Sequence, residues 1–193
     1  GVTSPLREFM LWRSQEDTLY RVELPAGRES VSVAMLDDFV SLGWTGFATG
    51  DYYHSGGWAT HERLFCVRMS YHLESESFRV SYLLHEGQHF SDYKRFPQLE
   101  GPELEYRAKL VEVANADTTL RDVLQAFSEQ SSDRRDNPHG FANRRLMTDL
   151  AHALNVDVPT DAWWKSVLPE TIHAAARRLF REDTERLGGG ITR

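Results

Sequence analysis

The stretch "YLLHEGQHF", residues 82–90, places two histidines four positions apart, with a glutamate directly after the first. Residues four apart lie on one face of an α-helix, so the rings of His85 and His89 can point at one ion. Apolar residues on both sides of the pair predict a buried helix, in which such polar groups need partners. We therefore expect a central, metal-bearing helix. The alternative is that both histidines are satisfied polar residues on a half-exposed helix.

The chemistry of the motif favours zinc. A tetrahedral zinc ion takes nitrogen ligands, and two histidines one helical turn apart supply half of its coordination. Glu86 projects beside them, where it can reach a water molecule held by the ion. The pattern thus predicts Zn²⁺ bound by His85 and His89, with Glu86 as the general base.

A catalytic zinc site needs a third protein ligand and keeps one position open for water. The breaks at Pro97 and Pro102 allow the chain to turn and return as a second helix, which begins "ELEYRAKL" at residues 103–110. Glu103 and Glu105 point about 200° apart on that helix, so only one of them can face the metal. Glu112 lies two turns further on. The residues alone leave these three carboxylates open.

A His-Glu-x-x-His helix followed by a short connection and a helix that carries a glutamate resembles the zinc metallopeptidases called gluzincins. The segment "LEYRAKL", residues 104–110, is similar to the Glu-x-x-Ala helix of their compact bacterial members. The resemblance implies a zincin-like fold, with Glu105 as the third ligand and Glu103 as the runner-up. Some gluzincins place an acid four residues after this ligand, where Lys109 stands here. The partner that orients a ligand histidine must therefore come from elsewhere, either from Asp92 or from a backbone carbonyl, and the alternative for Asp92 is a plain solvated charge.

The function that follows is metal-assisted hydrolysis of a peptide or protein substrate, with Glu86 moving the proton of the water. A second group must stabilise the oxyanion. We expect His139 in this role ahead of Tyr106 and Tyr93, although a loop histidine at the surface is the alternative. By the same resemblance, residues 56–67, "GGWATHERLFCV", provide a sheet edge for the substrate.

Two other functions use the same residues. The first is a metal-dependent amidase that acts on a non-peptide bond. The second is a non-catalytic binding protein in which the metal only fixes the fold. The presence of Glu86 argues against the second, because a structural site needs no base next to its ligands.

The pattern of the whole chain predicts an α+β fold in one domain, residues 1–193. Alternating residues predict a small antiparallel sheet, and the Gly-rich, aromatic residues 43–57 predict a loop. Later segments show helical periodicity with capping and breaking residues. The predicted strands cover residues 19–24, 30–35 and 58–67, and the predicted helices cover residues 75–93, 103–117, 119–130, 141–154 and 169–187.

The composition of the chain limits the classes of partner that it is expected to bind. The formal net charge of −7 argues against nucleic acid, which requires a basic surface. There is no apolar stretch long enough to span a membrane. The single cysteine, Cys66, lies in an apolar run and is expected to be a buried, inert thiol. The compartment stays open, and the near absence of cysteine together with a first residue other than Met favours export over the cytoplasm.

Overall fold

A long β-hairpin begins the part of the chain that the structure describes. The computed structural model describes residues 9–156 and 162–189. The hairpin turns at Pro25–Gly27, where Gly27 adopts a φ of 125°, a conformation that favours glycine. The strands are β1 (Met10–Leu24), β2 (Gly27–Leu42), β3 (Gly57–Ala59) and β4 (Leu64–Val67).

Helices make up most of the remainder. They are α1 (Gly43–Thr49), α2 (His85–Arg95), α3 (Gly101–Asn115), α4 (Leu120–Glu129), α5 (Pro138–Ala153) and α6 (Pro169–Gly189), with short 3-10 turns at Arg68–Ser70 and Trp163–Lys165. A sheet followed by helices is the predicted α+β fold, which is confirmed. None of the helices in the described ranges is both long enough and apolar enough to cross a membrane.

The sheet is mixed, which corrects the prediction of a purely antiparallel one. Its strand order is β1-β2-β4-β3. β1 and β2 are antiparallel, as are β3 and β4, but β4 runs parallel to β2. The chain leaves the end of β2 through α1 and returns as the β3–β4 hairpin, so β4 repeats the direction of β2. Strand order of this kind depends on long-range pairing, which residue alternation does not report.

Two local predictions were also wrong. Part of the expected loop at residues 43–57 is α1, which is bounded by the left-handed glycines Gly43 and Gly50. The expected strand at residues 58–67 is two short strands, because Thr60 bonds to Arg63 and closes a turn between them.

The helix that carries the histidines does not start as an α-helix. Residues Phe78–Leu84 form a π-helix that runs directly into α2. π-helical turns are rare, and they often occur at functional sites. Here the π-helical segment ends at Leu84, directly before the first histidine of the motif.

The core lies between the sheet and the helices, and α3 occupies its centre. α3 packs against α2, α5 and α6 and is buried from Leu104 to Ala114. Cys66 is fully buried, and burial raises the pKa of its thiol to about 12. This agrees with the predicted inert thiol.

Candidate metal centre

Three residues of the predicted site come together where α2 packs on α3. Nε2 of His85 lies 3.5 Å from Oε2 of Glu105, and Nε2 of His89 lies 3.3 Å from Oε1 of the same carboxylate. All three residues are at most 9% exposed. Their candidate ligand atoms lie within 4.8 Å of one another. The helical spacing of the two histidines and the packing of α3 therefore produce one compact donor set.

The spacing suits a tetrahedral ion. Ligand atoms at about 2.0–2.1 Å from a tetrahedral zinc lie about 3.3 Å from one another. Within the described residues, Oε2 of Glu105 is buried without a hydrogen bond of acceptable geometry, although ring nitrogens of His85 and His139 lie near it. Two nitrogens and one carboxylate fit the donor set of a zinc site with an open position.

Glu103, the runner-up for third ligand, points elsewhere. Its carboxylate accepts a hydrogen bond from Arg135 at 3.0 Å. The expectation that Glu103 and Glu105 face opposite directions therefore agrees with the structure, which brings Glu105 to the histidines.

Glu112 orients the first histidine, which corrects the expectation for Asp92. Nδ1 of His85 lies 3.1 Å from Oε2 of Glu112, and both side chains are buried. A hydrogen bond of this kind fixes the ring orientation of a ligand histidine. Asp92 is fully buried as well, but it accepts two hydrogen bonds from Arg107 and makes no contribution of this kind.

The charges at the centre reinforce one another. Burial opposes the charged form of His85, but Glu105 and Glu112 outweigh it and raise the pKa of His85 to about 10. Burial likewise opposes the charge of Glu105, yet His139, His85 and His89 hold the pKa of Glu105 well below its ordinary range. The two carboxylates therefore favour a positive charge between them. A divalent cation at this place would supply such a charge.

Glu86 and Tyr93 flank the histidines. Burial, followed by the charges of Glu86 and Glu105, raises the pKa of the Tyr93 hydroxyl. The ring of Tyr93 stacks with that of His89, at 6.4 Å between centroids, and contacts His61 at 4.6 Å. Glu86 is half-buried, and its charge acts on both His85 and Tyr93.

The three candidates for stabilising the oxyanion lie at different places relative to the centre. Nδ1 of His139 lies 2.9 Å from Oε2 of Glu105, and 70% of the His139 side chain is exposed. His139 therefore reaches the centre from the solvent side, at the start of α5. Tyr106 does not lie there, because its hydroxyl donates to Asp149 at 2.7 Å. Tyr93 keeps its position beside His89.

The segment expected to hold substrate borders the centre. β3 is the outer strand of the described sheet and packs against α2. Trp58 stacks on Phe65, with ring centroids 5.0 Å apart, so it packs on the neighbouring strand. Gly57 has no Cβ and so allows β3 to approach Tyr82 and the carbonyl of Phe65 closely.

Sequence reasoning left the role of Glu112 open. The signal that could have found it is its position seven residues, or about two helical turns, after Glu105, which places both on one face of α3. No family model, no curated protein and no solved structure matches this chain. The resemblance to gluzincins therefore rests on the residues of the chain and stays a prediction.

Proposed function

We propose that this protein is a zinc-dependent metallopeptidase. The observation that carries the proposal is the convergence of His85, His89 and Glu105, whose candidate ligand atoms all lie within 4.8 Å of one another. Glu86 follows the first ligand directly, where a metallopeptidase of the His-Glu-x-x-His type places its base. A structural metal ion requires only its ligands. This site also has the half-buried Glu86 directly beside one of them.

Each residue has a distinct task in this proposal. When bound, a zinc ion would lower the pKa of a water molecule and polarise the scissile carbonyl. Glu86 accepts the proton of the attacking water and transfers it to the leaving amine. His139 donates a hydrogen bond to the oxygen of the former carbonyl as negative charge develops on it. Glu112 holds His85 in orientation and does not touch the substrate.

The outer edge of β3 is the proposed place for the substrate backbone. A peptide in an extended conformation can add to a free strand edge through main-chain hydrogen bonds. Because β3 packs against α2, a strand added there would pass close to the histidines. This arrangement favours a peptide or protein substrate over a small amide.

Cleavage of a diverse peptide mixture, read by mass spectrometry, tests the proposal. Zinc-loaded wild type should produce cleavage products, and Glu86→Gln should bind zinc but produce none. Glu74→Gln serves as the matched control, because Glu74 is exposed and lies outside the centre. Its products should equal those of the wild type.

Three results would each overturn a part of this proposal. Zinc bound to the wild type without any peptide product would leave the amidase or the binding protein. Products that persist in Glu86→Gln would show that another group acts as the base. Failure of the wild type to bind zinc would overturn the metal centre itself.

A further inference from the structure

A second site of interest lies at the far end of the β1–β2 hairpin, where apolar side chains reach the surface. Val40, Trp44, Phe47 and Met69 are between 57% and 79% exposed. Exposed apolar side chains that cluster in this way mark interaction sites more often than singly scattered ones do. A groove of about 550 Å³, which we call the distal groove, lies between residues 37–42 of β2, the α1 region and Met69, and Val40 and Phe47 line it. Trp44 packs edge-on against Phe47 beside this groove.

One wall of the distal groove is a strand edge. β4 pairs with β2 only over Val33–Leu36. β2 continues to Leu42 with β1 on its other side. In the described part of the sheet, no strand pairs with β2 on the β4 side over Asp37–Leu42. A free strand edge beside a groove can accept an extended peptide as an additional strand. Asp38 adopts a φ of 51° and the pairing with β1 shifts register beside Val40, so the added strand would pair with β2 over a short length.

The charges that line the distal groove indicate the charge of the ligand that it would bind. Asp37, Asp38 and Asp51 line it, and none of its lining residues is basic. The ion pairs of Asp37 with Arg68, at 3.8 Å, and of Asp38 with Arg13, at 3.5 Å, are exposed. Such surface pairs contribute little, so the two carboxylates can change partners at small cost. A cationic ligand with apolar side chains complements this lining.

We propose that the distal groove binds an extended segment of another protein, with alternating basic and apolar side chains, as a strand added to the edge of β2. The site is separate from the metal centre. No residue that lines the groove belongs to the candidate metal centre. The inference goes beyond the proposed peptidase activity and does not depend on it.

Fluorescence anisotropy with a labelled peptide of alternating Lys and Val residues tests this proposal on the full chain. The wild type should bind it saturably, with or without a chelator. Phe47→Ser should weaken binding by about tenfold or more, because it removes an apolar wall of the groove. Asp37→Asn/Asp38→Asn should have a similar effect and should reduce the salt dependence of binding.

Matched controls separate the groove from general surface effects. Leu168→Ser removes an equally exposed apolar side chain outside the groove. Glu182→Gln/Glu185→Gln removes two charges from α6, away from the groove. Both controls should bind the peptide within about twofold of the wild type. A peptide of the same composition with two internal prolines should bind weakly, because proline interrupts strand pairing.

Other results would overturn the proposal. A peptide of alternating Glu and Val that binds equally well would remove the charge argument, and an unaffected proline peptide would remove the strand argument. A dimer in sedimentation that Phe47→Ser dissociates would make a second copy the occupant. Binding to phosphatidylcholine vesicles that Trp44→Ser/Phe47→Ser abolishes would make it a membrane surface. The absence of peptide binding by the wild type would also refute it.

Discussion

Two clusters of buried charge lie between α2 and α3, and they differ in how their polar atoms are satisfied. In the arginine cluster, formed by Arg107, Asp92 and Asp183, the guanidinium donates to Asp92 at 2.8 and 3.1 Å and to Asp183 at 3.0 Å. Arg107 and Asp92 are fully buried. Each charge in this cluster has a partner of opposite sign within the protein.

The metal cluster, formed by His85, His89, Glu105 and Glu112, is equally buried but incompletely paired. Among the described residues, Nδ1 of His89 has no hydrogen-bond partner, although it is buried. Oε2 of Glu105 is buried too, and its contacts with ring nitrogens of His139 and His85 do not have hydrogen-bond geometry. A buried polar atom without a partner is costly. The arginine cluster therefore holds α2, α3 and α6 together, whereas the metal cluster contains three donors that could hold an ion.

Replacing the buried guanidinium tests the first half of this comparison. Arg107→Met leaves the carboxylate of Asp92 buried without a cation, whereas Asp183 keeps Arg145 and Arg186 as partners. We expect it to lower the free energy of unfolding by about 3–5 kcal/mol. Urea denaturation followed by circular dichroism measures the loss.

The control for that experiment is Arg144→Met on α5, whose ion pair with Asp133 is exposed. It should change the free energy of unfolding by less than about 0.5 kcal/mol. If the two variants were equally stable, the arginine cluster would not be the structural element that its geometry suggests.

Removal of the His139 side chain tests its proposed role on the solvent side of the metal cluster. His139→Ala should lower kcat by about 10²–10³, because it removes a donor for the oxyanion. The affinity for zinc should stay near that of the wild type, since His139 lies outside the proposed ligand set. Peptide cleavage rates and a zinc titration give the two values.

His152→Ala is the matched control for this change, since His152 is an exposed histidine of the same helix. Its kcat should equal that of the wild type. A wild-type kcat for His139→Ala would show that His139 is a surface residue near Glu105 and no more.

The contact between His85 and Glu112 predicts a smaller effect on metal affinity. Glu112→Gln keeps the shape of the side chain but removes its charge, so the hydrogen bond that orients the ring of His85 becomes weaker. We expect zinc affinity to fall by about 10–100-fold. Competition with a chromophoric chelator measures this affinity.

Glu103→Gln on the same helix supplies the control, because Glu103 bonds to Arg135. Zinc affinity should not change in this variant. A larger loss for Glu103→Gln than for Glu112→Gln would contradict the assignment of both residues.

The sequence predicted the metal cluster better than the arginine cluster for a physical reason. The positions of His85 and His89 follow from helical geometry over one turn. The choice between Glu103 and Glu105 reduces to an angle about one helix axis. Both are local relationships, and so a pattern of residues can express them.

The partners of Asp92 and Glu112 depend on the packing of separate helices. Asp92 meets Arg107, 15 positions later, and Arg107 meets Asp183, 76 positions later. α3 is buried on nearly all sides, so its sequence has no polar face to show which residues meet α2. The parallel pairing of β4 with β2 was missed for a similar reason, since it too is a long-range contact.

A half-buried carboxylate outside both clusters, that of Glu76, extends the comparison to acid pH. Glu76 accepts hydrogen bonds from the backbone of Asp117 and Thr119 and from the Thr119 hydroxyl, at the start of α4. Burial opposes its charge, but the bonds from Thr118, Asp117 and Thr119 dominate and lower the pKa of Glu76 to about 2. Like the charges of the arginine cluster, the carboxylate of Glu76 has its hydrogen-bond partners within the protein. Glu76 should therefore contribute to the stability of the fold and not to ligand binding.

The sign of the pH dependence follows from this depressed pKa. The ordinary value for a glutamate is 4.5, so the stabilisation is complete above that pH and disappears as the pH falls towards 2. Glu76→Gln should lower the free energy of unfolding at neutral pH by about 1–2 kcal/mol. Urea denaturation from pH 7 to pH 2.5 should show this difference shrinking as the wild-type carboxylate becomes protonated. A difference that stayed constant over that range would mean that the shape of the Glu76 side chain, and not its charge, caps α4.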